Sequence, residues 1–361
     1  MSESPVEALL QPTQLLVWPI WIRKGVSFTP NAFLEAPNKE ETYNDSMYTE
    51  VVCKGASTLN SLEEVAQIAL HRKSVDKLVV SNVPGLKEHV LVNLPNRWLK
   101  NTRITQFEIR DTYLSGNFLW AYSPFSDQSN TLLWISANRC SLYGALTYQD
   151  IGTVHTRGLE DLSRLEGIDF SFNHLKIVRS TAFRSPPSNL STILLSRNSI
   201  EEIESSSFNY VRLKCLDVSH NLLTSVSRSM FASPAWYLEN IDLSWNFLKA
   251  LPDNFFTSMP ALKIVNLSKN FLYSMPKEPW EAVFKKLTFL DLTGNFINCD
   301  CSLLWLLPIL SPADANATST PAPTPLPGQE IRGSCGQNSQ MPGHYSIVHN
   351  LNTLKRKHLM C

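Results

Sequence analysis

From Leu165 to Cys301 apolar side chains recur in one short phrase, L-x-x-[IVL]-x-[FVL]-x-x-N-x-[LI], written six times. The copies run Leu165–Leu175, Leu190–Ile200, Leu213–Leu223, Leu238–Leu248, Leu262–Leu272 and Leu287–Ile297. Their asparagines, Asn173, Asn198, Asn221, Asn246, Asn270 and Asn295, follow one another at 25, 23, 25, 24 and 25 residues. A constant period of this length predicts a solenoid, in which each turn buries against its neighbours a face that it cannot bury alone. The stretch x-[IVL]-x-[FVL]-x has a period of two, which predicts a strand with apolar residues inward and the residues between them outward on a parallel sheet. The Asn then turns the chain. Its amide both donates and accepts, so a column of such residues satisfies the backbone groups left at each corner.

The return segments carry a second ladder. Five residues after the first five asparagines stand Val178, Ile203, Val226, Leu251 and Met275, and ten after the first four stand Phe183, Phe208, Phe231 and Phe256. The rings read as core filler for the width of the coil. Toward the N-terminus the phrase decays. Val75-x-x-Leu78-x-Val80-x-x-Val83 and Ile104-x-x-Phe107-x-Ile109-x-x-Thr112-x-Leu114 keep its spacing without Asn, and Leu133-x-Ile135-x-x-Asn138-x-Cys140 lacks the first apolar residue. About nine repeats, six of them regular, are therefore expected over 75–297, preceded by a partial N-terminal cap at 51–74 and a poorly ordered leader at 1–50.

Lys and Arg total 32, as do Asp and Glu, so bulk charge points neither to nucleic acid nor to an anionic membrane. No apolar run is long enough to span a bilayer as a helix, and Leu303–Leu310 is broken by Pro308. The uncharged stretch Ala8–Ile22 follows Glu3 and Glu7 and makes a poor secretory signal, which leaves an atypical leader or an altered N-terminus. Of seven cysteines, Cys299, Cys301, Cys335 and Cys361 cluster late, which suggests a local disulfide framework. Cys140 reads as core. Cys215 falls on an outward strand position, and Val51-x-Cys53 has no upstream cysteine to pair with.

The phrase and its period resemble the extracellular, typical class of leucine-rich repeat proteins, and Asn295-x-x-x-Cys299-x-Cys301-x-x-x-Trp305-Leu306 is similar to the start of the cysteine-rich C-terminal cap of Slit and Toll-type ectodomains. That resemblance implies an α/β-type leucine-rich repeat solenoid, a curved right-handed superhelix. Its parallel sheet would line the concave face, with loops and short helical turns on the convex face. It also implies a cap at 298–361 with the pairs Cys299–Cys335 and Cys301–Cys361, each stabilising by about 4 kcal/mol in a chain-entropy model. A Pro- and Thr-rich loop, 311–328, interrupts the cap.

The sequence carries no G-x-G-x-x-G, H-E-x-x-H or G-x-S-x-G, and Ser334 follows Gly328 and Gly333 where a phosphate-binding loop needs Lys. The expectation is a non-enzymatic chain without a cofactor. It would be secreted or at the cell surface and bind a protein ligand or receptor through its concave face. The alternatives are an extracellular-matrix component and an intracellular scaffold whose cap cysteines, with His344, His349 and His358, bind zinc. Of the sequons at Asn44, Asn189, Asn266 and Asn316, the glycan acceptors expected are Asn189 and Asn316. Two outward columns carry the candidate contacts. Glu108, Trp134, Asp169, Leu194, Asp217, Asp242, Asn266 and Asp291 form an acidic stripe, while Asp111, Ala137, Phe172, Arg197, His220, Trp245, Lys269 and Gly294 precede the ladder position. Exposed aromatic and Arg side chains concentrate binding energy, which selects Trp134, Phe172, Leu194, Arg197, His220 and Trp245.

Overall fold

The structure, a computed structural model, describes residues 20–25, 48–54, 67, 70–82, 94, 97–112, 124–140, 159–310, 329–337 and 347–361. The chain divides into two compact units: residues 1–142 with 161–165, and residues 143–160 with 166–361.

Unit one holds β1 (Ile20–Gly25), β2 (Tyr48–Lys54), β3 (Ser74–Ser81), β4 (Arg103–Arg110) and β5 (Trp134–Asn138). β1 runs antiparallel to β2, and β2 to β5 are parallel in chain order. Register aligns Val51, Leu78, Phe107 and Ile135 in one row and Cys53, Val80, Ile109 and Ala137 in the next. All eight are buried, as the period-two pattern requires.

Within the segment expected as a leader, β1 pairs with the free edge of β2, and residues 1–19 and 26–47 lie outside the described residues. One expectation needs correction here. The degenerate third phrase shifts by two residues, to Leu132-x-x-Ile135-x-Ala137-x-x-Cys140, with Leu132 buried. Cys140, not Asn138, occupies the ladder position. Its Sγ lies 3.2 Å from the Asn138 carbonyl and 3.3 Å from that of Ile109, while Thr112 Oγ1 donates to Arg110 O at 3.0 Å. A hydroxyl or a thiol thus reaches the carbonyl two residues back, as an amide would.

Unit two carries β6 (Gly167–Asp169), β7 (Ile177–Val178), β8 (Thr192–Leu194), β9 (Glu202–Ile203), β10 (Cys215–Asp217), β11 (Asn240–Asp242), β12 (Ile264–Asn266), β13 (Phe289–Asp291), β14 (Glu330–Arg332), β15 (Ser334–Gln337) and β16 (Ile347–Asn350). β6, β8, β10, β11, β12, β13 and β14 form one parallel sheet whose register places Ile168, Ile193, Leu216, Ile241, Val265, Leu290 and Ile331 in a single buried row. β7 pairs with β9 on the return segments.

The ladder asparagines hold successive turns together. Asn246 Nδ2 donates to Leu243 O and Ser244 O in its own turn, and at 3.0 Å to Val218 O of the preceding one. Its Oδ1 accepts the Leu223 N–H, also from the preceding turn, at 3.0 Å. Asn198, Asn221 and Asn270 repeat all four bonds. Behind them Phe183, Phe208 and Phe231 stack at 5.6 and 5.9 Å. Phe255 then continues the contact at 6.4 Å, where the phrase pointed to Phe256; Phe256 packs on Trp280 instead.

The cap continues the sheet before closing it. β14 pairs with β13 in repeat register. A short turn, Leu351–Thr353, lies against β14: Leu351 N–H donates to Gly333 O at 3.1 Å and Asn352 Nδ2 donates to Ile331 O. β15 and β16 form a two-stranded antiparallel ribbon beside it. Disulfides join Cys299 to Cys335 and Cys301 to Cys361, across 36 and 60 residues. The four cap thiols that the zinc alternative needs are consumed in these bonds. The loop at 311–328 and most of the 51–74 cap lie outside the described residues.

Candidate partner-binding surface

The acidic stripe has a local job at the ends of the strands. Asp169, Asp217, Asp242, Asn266 and Asp291 each accept the backbone N–H two residues on, from Ser171, Ser219, Ser244, Ser268 and Thr293, at 2.8–3.1 Å. A short acceptor side chain closing this turn explains why Asp or Asn recurs there. Leu194 occupies the same row without that capacity and is half-buried.

The next row begins where each strand ends. In every repeat the residue before the ladder position has positive φ: Asn82, Asp111 and Arg139 in unit one, and Phe172, Arg197, His220, Trp245, Lys269 and Gly294 in unit two, between 51° and 72°. Left-handed backbone is uncommon for non-glycine residues. Each N–H nonetheless donates to the following turn: Phe172 to Ser196 O, Arg197 to Ser219 O, His220 to Ser244 O, Trp245 to Ser268 O and Lys269 to Thr293 O, at 2.7–3.0 Å. Only Gly294 avoids the steric cost, and its missing Cβ has a second use. A Cβ there would fall 2.6 Å from Lys269 Cδ, so the glycine leaves room for that side chain.

The side chains of this row lie on one another. The Arg197 guanidinium sits 5.2 Å above the Phe172 ring. His220 and Trp245 are parallel at 5.0 Å with a 12° interplanar angle, and Lys269 Nζ lies 5.6 Å from the Trp245 centroid. Burial, and secondarily the Arg197 charge, holds the His220 pKa below its ordinary value. Asp217, in the row before, is pushed up to about 6 by burial first and by Asp242 second.

A third row follows the asparagines. Phe247 and Phe271 stack at 5.7 Å, Phe271 and Phe296 lie 5.6 Å apart, and Leu222 precedes them. Phe172, Leu222, Trp245, Phe247 and Phe271 are each 40–52 % exposed. The buried Asn ladder runs between two lines of large side chains facing water, an arrangement expected of a contact surface.

The structure therefore gathers four of the six expected contacts, Phe172, Arg197, His220 and Trp245, into one row at the ends of the strands. Leu194 stands one row earlier on the strand face. Trp134 lies in unit one, half-buried, and pairs with Gln106; Ser136 is the partner of Glu108, so the two-residue shift removes Trp134 from the acidic row. The same shift puts Arg139, not Ala137, before the ladder position, in an ion pair with Asp111 at 2.9 Å. The phrase gives no reason to single out Leu222, Phe247 and Phe271, since their position is an unrestricted x; aromatic residues at that x in successive repeats are the signal available.

Cys215, expected as a partly covered free thiol on an outward strand position, is free and buried, with Asn240 donating toward its Sγ at 3.8 Å. Burial pushes Cys53, Cys140 and Cys215 up to about 11, 12 and 11. Asn189 is exposed; the Asn266 amide is engaged with Asp242 and Ser268; Asn316 and Asn44 lie outside the described residues.

Residues 237–297 match the family model described as leucine rich repeat. No curated protein sequence matches the chain. Among solved structures it is similar to the crystal structure of a TLR13–ssRNA13 complex, at 20% identity and a TM-score of 0.47, covering 68% of this chain and 35% of that one. The chain thus spans about a third of that structure's length. The repeat architecture rests on strand register and the asparagine ladder rather than on that likeness.

Proposed function

We propose that this leucine-rich-repeat solenoid, closed by a cysteine-rich cap, is an extracellular recognition module that binds a protein partner, in the manner of an adhesion or innate-immune receptor ectodomain. A repeat scaffold offers an extended surface, and the fold typically serves protein binding rather than catalysis. The observation that carries the reading is the row Phe172, Arg197, His220 and Trp245, stacked side chain on side chain beside the exposed Phe247 and Phe271. Exposed rings restrained by their neighbours lose little entropy on contact, and Trp and Arg are the residue types that most often dominate interfaces. The contact surface then lies at the strand ends and does not depend on the floor of the sheet, where Leu194 stands. The disulfide-bonded cap supports an oxidising compartment, with Asn189 as an accessible glycan acceptor.

The test is a binding screen of the intact protein against displayed extracellular domains, repeated with Trp245→Ala and Phe172→Ala. Each variant is expected to weaken a genuine partner by about tenfold or more, the ordinary size of a hot-spot loss. A partner bound equally by both variants would overturn the assignment of this surface.

A further inference from the structure

Charge separates two neighbouring surfaces of unit two. The floor of the sheet is lined by Asp169, Asp217, Asp242 and Asp291. Past the strand ends the sign reverses. Arg197 and Lys269 stand before their asparagines, and Lys176 and Lys249 stand three residues after theirs; all four are exposed, against one acid, Glu201, in the same two rows. Among the described residues none of the four cations joins a carboxylate ion pair. Arg197 and Lys269 rest on aromatic faces instead. A guanidinium or ammonium group held this way keeps its outer donors free for an incoming anion.

We propose that this edge docks an acidic segment of the protein partner that also carries an aromatic side chain. The inference rests on the recognition role above and names the chemistry of what is recognised. Carboxylates of the segment would meet Arg197 and Lys269, while its ring packs among Trp245, Phe247 and Phe271. The acidic floor repels the same segment and so confines it to the edge, which gives specificity as well as attraction. A nucleic acid fits less well. One strand carries a phosphate about every 3.4 Å, and four cations spread over several turns cannot track that spacing beside a line of carboxylates.

The probe is a soluble random copolymer of glutamate and tyrosine, compared with a lysine–tyrosine copolymer and with oligouridylate, all against the intact, disulfide-bonded protein. The glutamate–tyrosine polymer is expected to bind best and to weaken at high salt. Arg197→Glu with Lys269→Glu should weaken it by about tenfold. Lys285→Glu with Lys286→Glu, exposed lysines on a return segment, should leave it unchanged. Unchanged melting temperatures confirm that each variant folds. Preference for the basic polymer or for oligouridylate overturns the proposal, as does equal loss in both charge-reversed pairs. A protein partner that needs Trp245 but is indifferent to Arg197→Glu with Lys269→Glu overturns the acidic class and leaves the surface standing. A partner indifferent also to Trp245→Ala and Phe172→Ala overturns both.

Discussion

Single residues here carry conformations that their side chains would not choose. Phe172, Arg197, His220, Trp245 and Lys269 adopt left-handed backbone, and each amide still finds a carbonyl in the next turn. Asp217 shows a comparable tension. Its carboxylate accepts the Ser219 N–H while burial and Asp242 push its pKa up to about 6, against about 3.9 in an unfolded chain. A raised folded-state value means that the native protein holds the extra proton. Its contribution is fully present below about pH 4 and lost as pH rises through about 6. Asn266 shows the remedy, since its Oδ1 caps Ser268 while its Nδ2 donates to Asp242 at 2.9 Å. Asp217→Asn should therefore raise the melting temperature above pH 6, with the gain vanishing near pH 4; a thermal scan against pH reads both ends. Arg228 is buried yet meets carbonyls only: Nε faces Thr257 O, Nη1 faces Phe231 O at 3.3 Å and Nη2 faces Ala232 O at 2.8 Å. Arg228→Ala strands those acceptors and should cost about 2–4 kcal/mol by denaturant titration. Lysine should not restore it, lacking the planar fork.

At the scale of one turn, the unit of stability is the ladder residue with the strand before it. Asn246→Ala removes four bonds at once, two of them to the preceding turn, and should cost about 2–4 kcal/mol. Asn246→Cys should cost less. Cys140 shows a thiol reaching the corresponding carbonyls, 3.2 and 3.3 Å away. Equal denaturation midpoints for the two variants would contradict that ranking. This chemistry decides what was legible in the sequence. Asn, with a donor and an acceptor at fixed spacing, marks the six regular turns unmistakably. Where Cys takes the position and a nearby Asn138 imitates it, the phrase slips by two and misplaces Trp134 and Ala137. The left-handed row is only partly legible by type: Asn82, Asp111, His220 and Gly294 are residues that favour positive φ, whereas Arg139, Phe172, Arg197, Trp245 and Lys269 are not. Leu222, Phe247 and Phe271 fall on an x, where the fold imposes no preference and recognition is written without a template.

For the molecule as a whole, the cap substitutes covalent closure for the neighbour that a last turn lacks. The two disulfides close loops of 36 and 60 residues, so each should contribute about 4 kcal/mol through the unfolded chain. Cys335→Ser is expected to lower the melting temperature markedly and loosen β14, which hydrogen exchange on Ile331 and Arg332 would report. Cys53, Cys140 and Cys215 are buried, so the native protein should show no thiol reactive at pH 8 and exactly as many as these three once unfolded without reductant. The direction of the hydrogen bonds has its own consequence. Leu175, Ile200, Leu223 and Leu248 each donate forward to the asparagine of the following turn, as Phe172, Arg197, His220 and Trp245 donate forward to its carbonyls. During synthesis each turn therefore waits for its successor. With 23–25 residues between asparagines and translation at about 5–20 residues per second, the wait is about 1–5 s. The growing front always carries unanswered donors, and a ribosome stalled within the repeats would present them on its newest turn to chaperones and proteases.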